Sequence, residues 1–264
     1  MQTAVNDNMA VGVQGALADS GYHDIATYIN NSKQVFRVTI TAIDLSTTVT
    51  INGTAFNVNS GSAAKTKAEL VDLLVAAINA GAEPVLAIDD GDFMNVEADV
   101  AGVAFTCVGT LNCTTEEQIP NEAGINFGLC VVQDTGALAA GGADNLAHLP
   151  TLVTQITDTN RALGVAVRTQ ALEQAVLNAN NVGYPLASAM SVVRRGRIWV
   201  TVEDAVIAGG QAFVRAVAGA GEQVGAFRSD VDGTDAGALP GTRYKLSAGA
   251  GELTILEINL PTIT

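Results

Sequence analysis

Val49-Thr50-Ile51-Asn52-Gly53-Thr54-Ala55-Phe56 reads as a β-hairpin, because Asn-Gly supplies the two positive φ angles of a type I′ turn between two β-prone runs. Upstream, residues 35–43 alternate, with Phe36, Val38, Ile40 and Ala42 on one face and Arg37, Thr39 and Thr41 on the other, which is the pattern of a half-buried strand. Downstream, Thr66 and Glu69 have capping-box spacing, and Leu70, Val71, Leu73, Leu74, Ala77 and Ile78 share a helical face. Gly81 is placed to end that helix in the left-handed conformation. Strands at 85–88, 93–97 and 103–108 follow, so residues 33–115 predict one helix on a small antiparallel sheet.

The residues on either side have a different rhythm. From 116 to 264, short β-prone runs at 125–132, 164–168, 189–193, 197–202, 212–217, 224–227 and 253–259 are separated by turn residues, as in a sandwich or barrel. Only 171–178 could form a helical turn or two. Residues 1–32 read as a polar, Gly-punctuated arm ending in a strand at 24–29, either disordered or ordered by a partner surface. The expected architecture is mainly β: a β-barrel or jelly-roll-like domain (116–264, completed by the arm and strand of 1–32), interrupted by an α+β insertion at 33–115. The polar flanks 30–32 and 114–118 suit an insertion at a surface loop.

Composition narrows the functional classes. A formal charge of −14 argues against general affinity for nucleic acid or anionic membrane. No run of about eighteen apolar residues is present to span a bilayer, and the first residues lack the basic start and apolar block of a signal peptide. Cys107, Cys113 and Cys130 match no metal spacing and read as buried thiols of a protein made in a reducing compartment. His23 and His148 lie in separate loop-like contexts without a nucleophile signature, which disfavours a hydrolase triad. Asp89-Asp90-Gly91-Asp92 and the alternating aspartates from Asp230 to Asp235 could hold a cation. The position where an EF-hand needs Glu is Gly241, however, and both read better as solvated turns. Gly219-Ala220-Gly221 leads into a strand where a dinucleotide loop needs a helix. No cofactor is expected.

The most distinctive cluster is Arg194-Arg195-Gly196-Arg197-Ile198-Trp199-Val200. It reads either as an exposed turn between two strands with Trp199 in the core, or as an interface patch, because Arg and Trp are enriched at binding hot spots. The runs GYPLASAMSVVRRGRIWVTVEDAV (183–206), QAFVRAVAGAGEQVGAFRSD (211–230) and LPGTRYKLSAGAGELTILEINLP (239–261), with Gln14-Gly15-Ala16-Leu17-Ala18, resemble the structural cement proteins of tailed bacteriophages. Residues 33–115 resemble, more weakly, a small domain common in phage structural proteins. The resemblance implies a β-barrel or jelly-roll domain without catalytic residues that sits on the outside of the capsid, assembles there in the host cytoplasm, and clamps major capsid protein subunits, as a dimer or trimer on the shell. Arg194, Arg195, Arg197 and Trp199 are then the candidate capsid contacts. The competing expectation is a glycan- or host-binding module of the particle, which the aromatic content of 5% does not favour.

Overall fold

The computed structural model describes residues 13–19, 21–43, 46–59, 65–133, 145–169, 183–219 and 222–260. The first twelve residues of the arm and the helical turn expected at 171–178 lie outside them.

After β1 (Asp24–Asn30), the chain forms β2 (Val35–Ile40), β3 (Ser46–Ile51), β4 (Thr54–Asn59), α1 (Lys67–Asn79), β5 (Val85–Asp89), β6 (Phe93–Ala98), β7 (Cys107–Leu111) and β8 (Cys113–Ile119). The hairpin turn has Asn52 at φ 50° and Gly53 at φ 88°, and Ile51 pairs with Thr54. Helix α1 carries the expected capping box: the Thr66 amide donates to Glu69 Oε2 at 2.8 Å and the Glu69 amide to Thr66 Oγ1 at 3.3 Å. Its end differs from expectation. Gly81 is not left-handed; a Cβ there would sit 2.8 Å from the Phe56 ring, so what the glycine supplies is space.

The sheet is also more elaborate than the single layer expected. Strands order β5-β6-β2-β8 in one sheet and β4-β3-β7 in another, because β7 pairs with β3 while β8 pairs with β2. One apolar cluster, from Val38 to Cys113, fills the space between these sheets and α1. The polar run at 114–118 is no loop, since all of it lies in β8 against β2. Val35 and Ile119 face each other across these two strands, so the chain enters and leaves this segment side by side.

The other part contains β9 (Ile125–Asn126), β10 (Cys130–Gln133), β11 (Leu146–His148), α2 (Val153–Thr157), β12 (Ala162–Ala166), β13 (Gly183–Tyr184), β14 (Ala189–Thr201), β15 (Phe213–Arg215), β16 (Phe227–Arg228), β17 (Ala236–Ala238), β18 (Thr242–Tyr244) and β19 (Leu253–Asn259). Pairing runs β1-β11-β10-β12-β14 and returns to β1, which closes a five-stranded barrel. Strands β19 and β18 extend the sheet from the second half of β14. The barrel strands are buried on both faces: Cys130, Ala162, Val165 and Val193 join one cluster, while Val131, Leu163, Ala166 and Val192 join another. Two-sided burial selects continuous apolar runs over alternation.

The arm corrects the sequence reading most. Its residues 13–19 are ordered by the chain itself. The Gly15 amide donates to Trp199 O at 2.7 Å, Trp199 N to Ala16 O at 2.9 Å and Ala18 N to Arg197 O at 2.9 Å. Leu17 bridges to Ile198 and packs on the core. Gly15, at φ 79°, is required because a Cβ would lie 2.6 Å from Phe127 Cβ.

Candidate functional site

Arg194, Gly196 and Arg197 do not form a turn. β14 runs unbroken from Ala189 to Thr201, and strand alternation separates the cluster into two faces. Arg194 points inward, 6% exposed, and donates to Tyr28 Oη at 3.1 Å, which ties β14 to β1. Arg195, Arg197 and Trp199 point outward. Trp199 is half-buried on this outer face, and the core positions beside it belong to Ile198 and Val200.

Cross-strand register assembles the rest of the face. Arg197 stands opposite Glu257, which stands opposite Arg243; Trp199 stands opposite Ile255, and Arg195 opposite Asn259. Glu257 Oε1 accepts from Arg197 Nε and Nη2, both at 3.2 Å, and Oε2 from Lys245 Nζ at 3.2 Å. Lys245 first, then Arg197, hold this carboxyl below the usual carboxylate range. Arg195 Nε donates to Leu260 O at 3.2 Å.

A loop rims the face. From Leu17, opposite Ile198, to Asp24, opposite Arg195, the first segment spends seven residue steps on a stretch that β14 covers in three. The surplus bulges outward and leaves Tyr22 83% exposed. Asp19 anchors the bulge by accepting from Arg197 Nη1 at 3.1 Å. His23 packs across Gly196, where a Cβ would meet the ring, and its Nε2 lies 3.3 Å from Asp19 Oδ1. Between loop and sheet lies an open groove of about 850 Å³. Sequence reasoning found Arg195, Arg197 and Trp199 but missed Tyr22, Arg243, Lys245 and Glu257, which only strand pairing brings together.

The second charged cluster is structural. Arg215, 1% exposed, donates from Nε to Glu203 at 2.7 Å and from Nη2 to Asp232 at 2.8 Å, and lies 2.9 Å from Glu222. Arg228 bonds Asp230 at 2.9 Å and Asp232 at 2.7 Å. The aspartate-rich loop is therefore engaged by two buried guanidinium groups. Hydrogen bonding from Arg215, then the charge of Arg228, lowers the Asp232 pKa. Asp90, in the other aspartate turn, is pushed up by burial. Among the described residues no group of three or more His, Cys, Asp or Glu side chains could hold a metal ion. His148 is buried, with Nδ1 against Leu149 O, far in sequence and setting from His23.

Comparison with known proteins gives three findings. Residues 100–259 match the family described as "Structural cement protein (E217 gp24/Pam3 gp6)". That span takes in β7 to β19, including the whole β14-β19-β18 face. Among solved structures the chain is similar to one from "The capsid of Myoviridae Phage XM1", at 16% identity and a TM-score of 0.35, over 54% of this chain and 79% of that one. A search of curated protein sequences returned no match.

Proposed function

The chain belongs to the phage structural cement protein family, and from that premise we propose that it binds the outer surface of the assembled head and holds neighbouring major capsid protein subunits together. The observation that carries the reading is the family match over residues 100–259, which spans the barrel strands β10, β11, β12 and β14 and the exposed β14-β19-β18 face in one stretch. A cement protein acts through contact, so it needs a stiff fold with an adhesive surface and no reacting group. The closed barrel supplies the stiffness. Many modest contacts, repeated over a symmetric shell, make the attachment strong through multivalency.

Of the four residues singled out in the sequence, Arg195, Arg197 and Trp199 are the proposed capsid contacts. Arg194 supports them from behind by joining β14 to β1. Assembly of the protein as a dimer or trimer on the shell, its position on the virion exterior and the absence of a catalytic role belong to the same proposal.

The test uses heads of the parent phage assembled without this protein. Purified protein should bind them saturably and raise their heat resistance, while the mass of the major capsid protein stays unchanged. Failure to bind the head surface would end the cement reading.

A further inference from the structure

The surface that faces outward from β14, β19 and β18 has a charge opposite to that of the molecule. The whole chain carries −14. On this face the described residues place four cations, Arg195, Arg197, Arg243 and Lys245, with three carboxylates, Asp19, Glu257 and Asp24, the last opposite Arg195 on β1. Glu257 sits in the middle and occupies Arg197 and Lys245. Arg243, exposed on β18 and directly across from Glu257, has no ion-pair partner among the described residues. A lone cation beside a carboxylate already shared by two others leaves the face with an excess of positive charge.

Aromatic area accompanies that charge. Trp199 and Ile255 form a half-buried pair next to the Arg197-Glu257-Arg243 row. Tyr22 stands 83% exposed on a bulge whose two ends are both pinned to β14. A tyrosine has only two side-chain torsions to order and so loses little conformational freedom on binding, and Tyr, Trp and Arg are enriched at interface hot spots.

We propose that this face receives a carboxylate-bearing surface of the shell protein, with Arg243 and Tyr22 as its principal contacts and Glu257 as an internal stand-in for the partner's carboxylates. The inference rests on the cement reading and goes beyond it by naming the partner's chemistry and the residues that meet it. Nucleic acid is a poorer fit, because four cations on a chain this acidic neutralise few phosphates. Glu257 keeps Arg197 and Lys245 extended and correctly placed before docking. Arg243, unpaired among the described residues, steers the encounter.

The arrangement makes an unusual prediction, a substitution that strengthens binding. Glu257→Gln removes the competing charge, frees Lys245 and leaves Arg197 paired with Asp19 alone. Affinity for heads assembled without the protein should rise about three- to tenfold near 50 mM salt, and the gain should fade as salt screens the face. Arg243→Glu should weaken binding by about tenfold or more, because it replaces attraction with repulsion. Tyr22→Ala should weaken binding without salt dependence. Arg243 and Tyr22 make no side-chain hydrogen bond or ion pair among the described residues, so Tyr22→Ala should melt with the parent, and Arg243→Glu, which sets a second carboxylate opposite Glu257, should melt slightly lower and stay folded; both keep the test valid even if Glu257→Gln disturbs the sheet. If the parent binds heads and these substitutions leave affinity unchanged, or Glu257→Gln weakens it in a folded protein, the acidic-partner inference falls while the cement reading stands. If Glu257→Gln instead drives self-association in sedimentation, the face takes a second copy and the inference is again wrong. If the parent itself does not bind, the cement reading fails first.

Discussion

Replacing Arg215 by Met should cost about 3 kcal/mol of stability. The side chain is 1% exposed and its guanidinium reaches Glu203 at 2.7 Å, Asp232 at 2.8 Å and Glu222 at 2.9 Å. Removing one partner of a buried ion pair typically costs about 3–5 kcal/mol, because the other is left charged and unsolvated. Here Glu203, 13% exposed, is the partner with least access to water, and it keeps Arg228 Nη1 at 3.7 Å. Asp232 and Glu222 are 43% and 38% exposed and regain water, which places the cost at the lower end. For a chain of this size about 3 kcal/mol lowers the melting temperature by roughly 6–12 °C. Scanning calorimetry and urea unfolding both read it. The pH dependence gives a second check. Arg215 lowers the Asp232 pKa in the folded state, so this pair stabilises fully above the ordinary carboxylate range and its contribution is lost as pH falls through the depressed folded value. The gap between parent and Arg215→Met should therefore narrow below about pH 4. Adding Glu203→Gln to Arg215→Met should recover about 1 kcal/mol or more, as a coupled pair requires. A loss under about 1 kcal/mol, or a gap constant with pH, would refute the reasoning.

Gly15→Ala should destabilise by about 2 kcal/mol, since its Cβ would press 2.6 Å from Phe127 Cβ at φ 79°; a melting temperature equal to the parent's would show that the arm does not need this close approach. Replacing residues 36–118 by a Gly-Ser bridge should leave a soluble, cooperatively unfolding barrel, because Val35 and Ile119 are strand neighbours about 5 Å apart; an aggregated or molten product would show that this segment completes the barrel core. Burial pushes the thiols of Cys107 and Cys130 up to about 12, so neither should react with a disulfide reagent at pH 8 until denaturant is added; labelling in the folded protein at the unfolded rate would contradict this.

What the sequence made legible depended on whether an element announces itself locally. The hairpin at Asn52-Gly53 did, because its turn demands those residues, and α1 did through its cap and period. β10 and β12 blurred because both faces are buried, which erases alternation. β14 was divided in two because Arg-Arg-Gly-Arg looks like a turn. Gly196 is there to let His23 cross the strand, and nothing local to residues 194–197 records that. β13, β17 and β18 are two or three residues long and carry no period at all.

The site was half visible for the same reason. Once β14 is one strand, a period of two puts Arg195, Arg197 and Trp199 on one side and Arg194 on the other. Tyr22, Arg243 and Glu257 join them only through pairing among distant segments, which spacing cannot reveal. The acidic composition takes on a more specific meaning in the folded chain. Asp230 and Asp232 are exposed turn residues, as they read in the sequence, and they also neutralise the buried Arg215 and Arg228 from the surface side. Tyr244 of β18 donates to Arg228 O at 2.8 Å, so that buried knot is joined to the strand that presents Arg243 on its opposite side. Carboxylates hold two arginines inward, and the strand fastened to them holds a third outward and uncovered. A partner carboxylate meets a cation whose position the interior already fixes, and little ordering of β18 remains to be done when the surfaces meet.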